Sequence, residues 1–151
     1  MKRKYIAWSL ILLLLAGFIY GYYEYNRQRA DSKNLKPTFS VDAVALLQEF
    51  TSNEAASNKK YLGQNIIVEV SGTIKDVVEN EKGHYTVILG DTNSLSSVRC
   101  SMDTVYSAEL TSLQRGVPAT LKGNFNGFKA DELGIGADIE LNFCVLTNKN
   151  K

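Results

Sequence analysis

From Tyr5 to Tyr23 the chain runs nineteen residues without a charge, YIAWSLILLLLAGFIYGYY. Wound as a helix rising about 1.5 Å per residue, that run spans about 28 Å, close to the ~30 Å hydrocarbon core of a bilayer. Tyr5 and Trp8 lie at one end, and Tyr20, Tyr22 and Tyr23 at the other, as two belts at headgroup level would require. Lys2, Arg3 and Lys4 precede the run, and positive flanks stay cytoplasmic. Residues 1–23 are therefore expected to be an uncleaved signal-anchor. The N-terminus would be cytoplasmic and everything after residue 23 periplasmic or extracellular. A cleaved signal peptide would place small residues at the −3 and −1 positions, yet Gly17 follows Leu15 by two and Gly21 follows Ile19 by two. A lipid-modified leader would need a cysteine where Phe18 stands. A soluble core helix would not need so long an uncharged run.

The remaining length suits one domain. Residues 24–38, EYNRQRADSKNLKPT, are polar and mixed in charge, and read as a tether. The formal net charge of +1 conceals an asymmetry. Residues 1–35 carry six basic and two acidic groups, whereas residues 36–151 carry eleven and fourteen and form a mildly acidic domain.

Ser40 is expected to cap a helix whose apolar stripe runs through Val41, Val44, Leu47 and Phe50, with Asp42 in the first turn. Asn53 recaps a second short helix that ends near Tyr61–Gly63. From Gln64 the period changes to two. Ile66, Val68 and Val70 open a long first strand containing Gly72, where a barrel strand must bend. After a polar turn at 79–83, Tyr85, Val87 and Leu89 make a second strand, and Val98, Cys100 and Met102 a third. Residues 103–116 read as a helix with Leu110 and Leu113 inward and Gly116 at its C-cap. Strands at 117–125 and 139–145 follow, separated by a glycine-containing loop at 126–138. Three strands, a helix and two strands are the layout of an OB-fold. The expected class is mainly β: a five-stranded OB-fold barrel over residues 39–147 with an N-terminal helical extension, preceded by one transmembrane helix. An SH3-like barrel is the runner-up, and the helix after the third strand argues against it.

Several short segments carry a family resemblance: Asn53-Glu54-Ala55-Ala56, Lys60 to Gln64, Val70 to Ile74, Val98-Arg99-Cys100, Leu121-Lys122-Gly123 and Leu141 to Cys144. On these, residues 39–147 resemble the tRNA-anti-like family of bacterial OB-fold domains. The resemblance implies the fold and an envelope association.

Two cysteines, Cys100 and Cys144, are too few for a disulfide scaffold. In an OB barrel the third and fifth strands are neighbours, so the two are candidates for one bridge. Their parity conflicts, because Cys100 is in phase with Val98 and Met102 while Cys144 is out of phase with Leu141 and Phe143. A bulge near residue 142 would be needed to turn Cys144 inward. The other reading is two separate buried thiols. His84 is the sole histidine and lacks clustered ligands, so neither a metal site nor a catalytic triad is expected, and no cofactor. Asp131, Glu132 and Asp138 lack EF-hand spacing.

OB-folds bind across their second and third strands, and nucleic-acid sites combine a basic groove with stacking aromatics. The positions available for a ligand are Lys75, Lys82, His84, Thr86, Arg99, Lys122, Phe128 and Lys129, with only Phe128 and Tyr85 to stack. A net-acidic domain outside the cytoplasm is not expected to take nucleic acid. The expectation is a non-enzymatic module held in the membrane by residues 5–23 and binding an envelope protein, peptide or glycan. The alternative is a single-stranded nucleic-acid binder resembling anticodon-binding domains.

Overall fold

The structure, a computed structural model, describes residues 12–22, 32–63, 66–106 and 113–147. It divides into two compact units, residues 1–30 and 31–151. In the first, residues 12–22 form helix α1. Its large apolar side chains, Leu12 to Leu15, Phe18, Ile19, Tyr20 and Tyr22, are 56–77% exposed. Among the described residues no helix is long and apolar enough to cross a membrane. Residues 5–11 and 23 of the expected span lie outside the described residues.

The second unit begins earlier than the polar composition suggested. Ser32 is fully buried. The Lys122 ammonium donates to the carbonyls of Lys33 (2.8 Å) and Leu35 (2.9 Å), and the Lys33 ammonium lies 4.2 Å from the centroid of the Tyr106 ring. The Thr38 amide donates to Ile67 O. Residues 32–38 thus belong to the folded unit, because one lysine satisfies backbone groups that the sequence assigned to solvent. The remainder of the expected tether, 24–31, lies outside the described residues.

Ser40 is not a helix cap. Phe39–Asp42 form strand β1, parallel to the start of β2 (Ile67–Glu79), with Phe39 opposite Val68 and Asp42 opposite Ser71. The Ser40 hydroxyl instead donates to Glu69 Oε2 (2.7 Å). The cap of α2 (Ala43–Ser52) is Asp42, whose carboxylate accepts from the amides of Val44 and Ala45. The buried stripe of α2 is Ala43, Leu46, Leu47 and Phe50, and Val44 lies outside it, 40% exposed. Asn53 caps α3 (Glu54–Tyr61) as expected from its position. Glu49 clips the two helices together, taking Lys60 Nζ at 2.7 Å and Tyr61 Oη at 2.8 Å.

Five strands close into a barrel: β2, β3 (Tyr85–Leu89), β4 (Ser97–Met102), β6 (Ala137–Leu146) and β5 (Pro118–Ala130), with β5 returning to β2. β4 and β6 run parallel, and the other barrel pairs are antiparallel. This is the OB order expected from three strands, a helix and two strands. β2 serves both halves. Ile67–Thr73 pair with β5, and Ile74–Glu79 pair with β3 across a register shift at Lys75. β1 occupies the edge of β2 that β3 is too short to cover.

The interior follows the period-two reading: Val68, Val70, Ile74, Val87, Leu89, Val98, Cys100, Leu121, Ile139 and Leu141 are all fully buried. Gly72 has a sharper role than bending. A Cβ there would stand 2.9 Å from that of Ala43, so its absence lets α2 seat against the barrel. Phe50 joins Phe125, Phe128 and Tyr61 in stacked contacts 5.0–5.6 Å between centroids, which fixes α2 over the barrel.

The expected loop at 126–138 is shorter. β5 continues to Ala130, and β6 starts at Ala137, paired by Gly127 opposite Glu140 and Lys129 opposite Asp138. Asn126 and Gly127 are poor strand formers; Asn126 sits in a register shift, and the ladder to β6 resumes at Gly127 opposite Glu140. Of the expected helix at 103–116, residues 104–106 form a 3₁₀ turn and 107–112, including Leu110, lie outside the described residues. Leu113 packs against the core, and Gly116 takes φ +84° while its amide donates to Ile74 O.

Candidate ligand-binding face

The outward side of β3 and β4 is the surface across which OB-folds bind, and β6 continues it beside β4. Register puts Asp76, Ile88, Arg99 and Glu140 in one row across it, and Val78, Thr86 and Ser101 in the next. Lys129 and Asn126 approach from β5.

Arg99 and Lys129 on this face are each paired with a carboxylate. Arg99 Nε lies 2.9 Å from Asp138 Oδ2, and Lys129 Nζ lies 2.7 Å from Glu140 Oε1. The Asn126 amide donates to the other oxygen of Glu140 at 3.1 Å. The bond from Lys129 holds the Glu140 carboxyl below its ordinary range; partial burial opposes this, while Asn126 and the charges of Lys129 and Arg99 reinforce it. The acids that compensate the face were legible in principle. The stretch ADIELNF alternates, so Asp138, Glu140 and Asn142 share the face opposite Ile139 and Leu141.

The ligand-binding residues expected from the sequence are only partly brought together. Thr86, Arg99 and Lys129 share the outward face. Lys75 is turned to the β3–β4 loop, where its ammonium donates to Ser94 O, Ser96 O and Ser97 Oγ at 2.6–3.3 Å. Lys122 straps residues 33–35. Phe128 stacks on Phe50 at 5.2 Å, so its ring belongs to the helix–barrel contact and not to a stacking platform. His84 and Lys82 are exposed in the β2–β3 turn, where Asn80 organises the backbone. Tyr85 is half-buried, and a hydrogen bond with Glu79 pushes its phenol up. Among the described residues no group of three or more His, Cys, Asp or Glu could hold a metal ion. Asp131 is occupied in a turn, accepting from the Leu133 amide at 2.8 Å.

Sequence reasoning did not identify the end of this face. Beside Lys129 and Asp138 a groove of about 390 Å³ is lined by Leu95, Ala130, Ile135 and Ala137. Leu95 and Ile135 are 70% and 59% exposed, and Leu133 on the same β5–β6 loop is 80% exposed. The Ala137 amide donates to Ser96 Oγ and joins the two loops.

Cys100 and Cys144 are both free and buried. The bulge that an inward Cys144 requires is present. β6 has one residue more than β4 between the pairs Cys100–Leu141 and Met102–Cys144, and Phe143 adopts φ +53°.

No curated protein matches the sequence. Among solved structures, a presumed nucleic acid-binding lipoprotein from Klebsiella pneumoniae subsp. pneumoniae is 24% identical. It aligns over 72% of this chain and 91% of its own, with a TM-score of 0.53, which shows a shared fold. Asparaginyl-tRNA synthetase from Entamoeba histolytica, bound to asparaginyl-adenylate, is 13% identical over 61% of this chain and 23% of its own, with a TM-score of 0.42. The tRNA_anti-like family profile matches residues 1–134, and the chain belongs to that family.

Proposed function

We propose that this protein is a non-enzymatic binding module, held in a membrane by residues 5–23, whose OB face takes a protein, peptide or glycan on the exported side. The pairing of cations on that face carries the reading. Arg99 and Lys129 each meet a carboxylate at 2.9 Å or less, so phosphate would have to displace a charge already in place. The exposed leucines and isoleucine at the end of the face favour an apolar anchor on the ligand. The uncharged surface of α1, with Leu12 to Leu15, Phe18 and Ile19 all exposed, supports the anchor.

A second reading has its own support. The Klebsiella lipoprotein of the same fold is named for nucleic-acid binding, and that activity would use Arg99 and Lys129 after their carboxylates are displaced. Fluorescence anisotropy of the full-length protein with labelled single-stranded oligonucleotides separates the two. The expected result is no salt-dependent binding at micromolar protein. Micromolar binding that falls steeply with salt and is lost in Arg99→Ala would overturn the first reading in favour of the second. A photo-crosslinker at Ser101, compared with one at the exposed Lys59, then shows whether envelope components dock on this face.

A further inference from the structure

We infer that Cys100 and Cys144 are joined as a disulfide while the barrel folds, tying β4 to β6 before the interior closes. Both thiols are fully buried, and each faces the other across neighbouring strands. Two departures from a regular barrel meet at Cys144. Phe143 holds the left-handed φ of +53°, and among the described residues it is the one non-glycine that does so. Without that bulge the period of two would send Cys144 to the other side of β6. On the other flank, β5 has glycine at 123. A Cβ there would stand 2.5 Å from Cys144 Sγ and 2.9 Å from Asn142 O, so no other residue leaves room for the sulfur. A straight strand with an apolar residue would fill the interior without either feature. Their coincidence at one sulfur is explained by a bond that needs it there.

The timing follows from the environment. Burial, and then the contact with Cys100, push the Cys144 thiol well up. Inside the finished barrel it is protonated, and the thiolate is the species that exchanges. The chemistry therefore belongs to the open chain. One cysteine thiolate attacks a small-molecule or oxidoreductase disulfide, forming a mixed disulfide and releasing one thiol. The second thiolate attacks the protein sulfur of that mixed disulfide, closing the Cys100–Cys144 bond and releasing the other thiol. Two electrons pass from the protein's thiols to the incoming disulfide, and the two protons leave on the released thiols.

The supply of oxidant rests on the exported placement proposed above, whereas the pairing does not. Full-length protein, denatured and reduced, is refolded with oxidised and reduced glutathione, then alkylated in denaturant and weighed. The expected product has no alkylatable thiol and a mass lower by about 2 Da, the two hydrogens lost. Protein folded first under reduction should oxidise at least tenfold more slowly in the same mixture. Two alkylatable thiols after oxidative refolding, or two glutathione adducts, would overturn the pairing. Equal oxidation rates from the open and folded chains would overturn the timing. Bridging in vitro combined with free thiols in protein taken from cells would support the pairing and overturn the exported placement.

Discussion

Replacing Phe50 by alanine tests whether the N-terminal helices are part of the domain or an appendage to it. The ring is 0% exposed. It stacks on Phe125 at 5.0 Å and 18°, on Phe128 at 5.2 Å and 25°, and on Tyr61 at 5.6 Å and 28°. A buried Phe→Ala change costs about 3–5 kcal/mol through lost transfer energy and the cavity left behind. Three ring partners from two different elements limit how far the site can collapse, so we expect about 4 kcal/mol. Against a domain stability of about 5–15 kcal/mol, that is a large fraction. With a urea m-value of about 2 kcal/mol/M the midpoint should fall by about 2 M. Urea unfolding of the full-length protein followed by tyrosine fluorescence gives the number. Phe128→Ala, at a half-buried ring, should cost about half as much. A shift below about 1 kcal/mol for Phe50→Ala would refute the argument, since α2 would then be resting on the barrel and not completing its core.

Two further outcomes follow from polar contacts. Lys122→Ala removes the two bonds to Lys33 O and Leu35 O, so trypsin should cut after Lys33 several-fold faster while global stability falls by only about 1–2 kcal/mol; unchanged cleavage would show that the strap does not hold the segment. Lys60 hydrogen-bonds Glu49 and lowers its carboxyl below the ordinary 4.5, against partial burial and with help from Tyr61 and the lysine charge. A depressed carboxylate contributes stability above its unfolded value and loses it as pH falls through the folded one. With side chains 35% and 42% exposed the pair is worth under about 1 kcal/mol. The stability gap between the native protein and Glu49→Gln should be constant near neutrality and shrink below about pH 4, and a gap that persists into strong acid would exclude the ion pair as its source.

The barrel was legible because its interior alternates almost without interruption, as in Val98, Cys100 and Met102. The strand pairs that mattered most to the site were not. Arg99 and Lys129 look like free cations in a linear sequence; only the parallel β4–β6 pairing brings Asp138 to Arg99, and only the antiparallel β5–β6 pairing brings Glu140 to Lys129. Lys75 and Lys122 misled for the same reason: a lysine that satisfies backbone carbonyls elsewhere in the chain has no local signature. Ser40 offered a capping side chain, but four residues of parallel pairing with β2 outweighed it and passed the cap to Asp42. Cys144 was the informative exception. Its parity conflict located where a bulge would be needed if Cys144 turned inward, and the left-handed Phe143 stands next to that position.

The strap by Lys122 has a mechanical consequence. Under the anchoring proposed above, a bound partner that drifts or is dragged would put the chain under tension. That tension enters the folded unit at Ser32 and meets the two carbonyl bonds from β5 before it reaches β1. Behind them lies the parallel β1–β2 ladder, from Phe39–Val68 to Asp42–Ser71. Pulled along its length, such a ladder resists in shear, with its bonds sharing the load. Under that load Lys122 would act as a fuse: it would yield first, lengthen the leash by a few residues and leave the barrel intact, so that the rate of forced unfolding would be set by β1 and not by the strap.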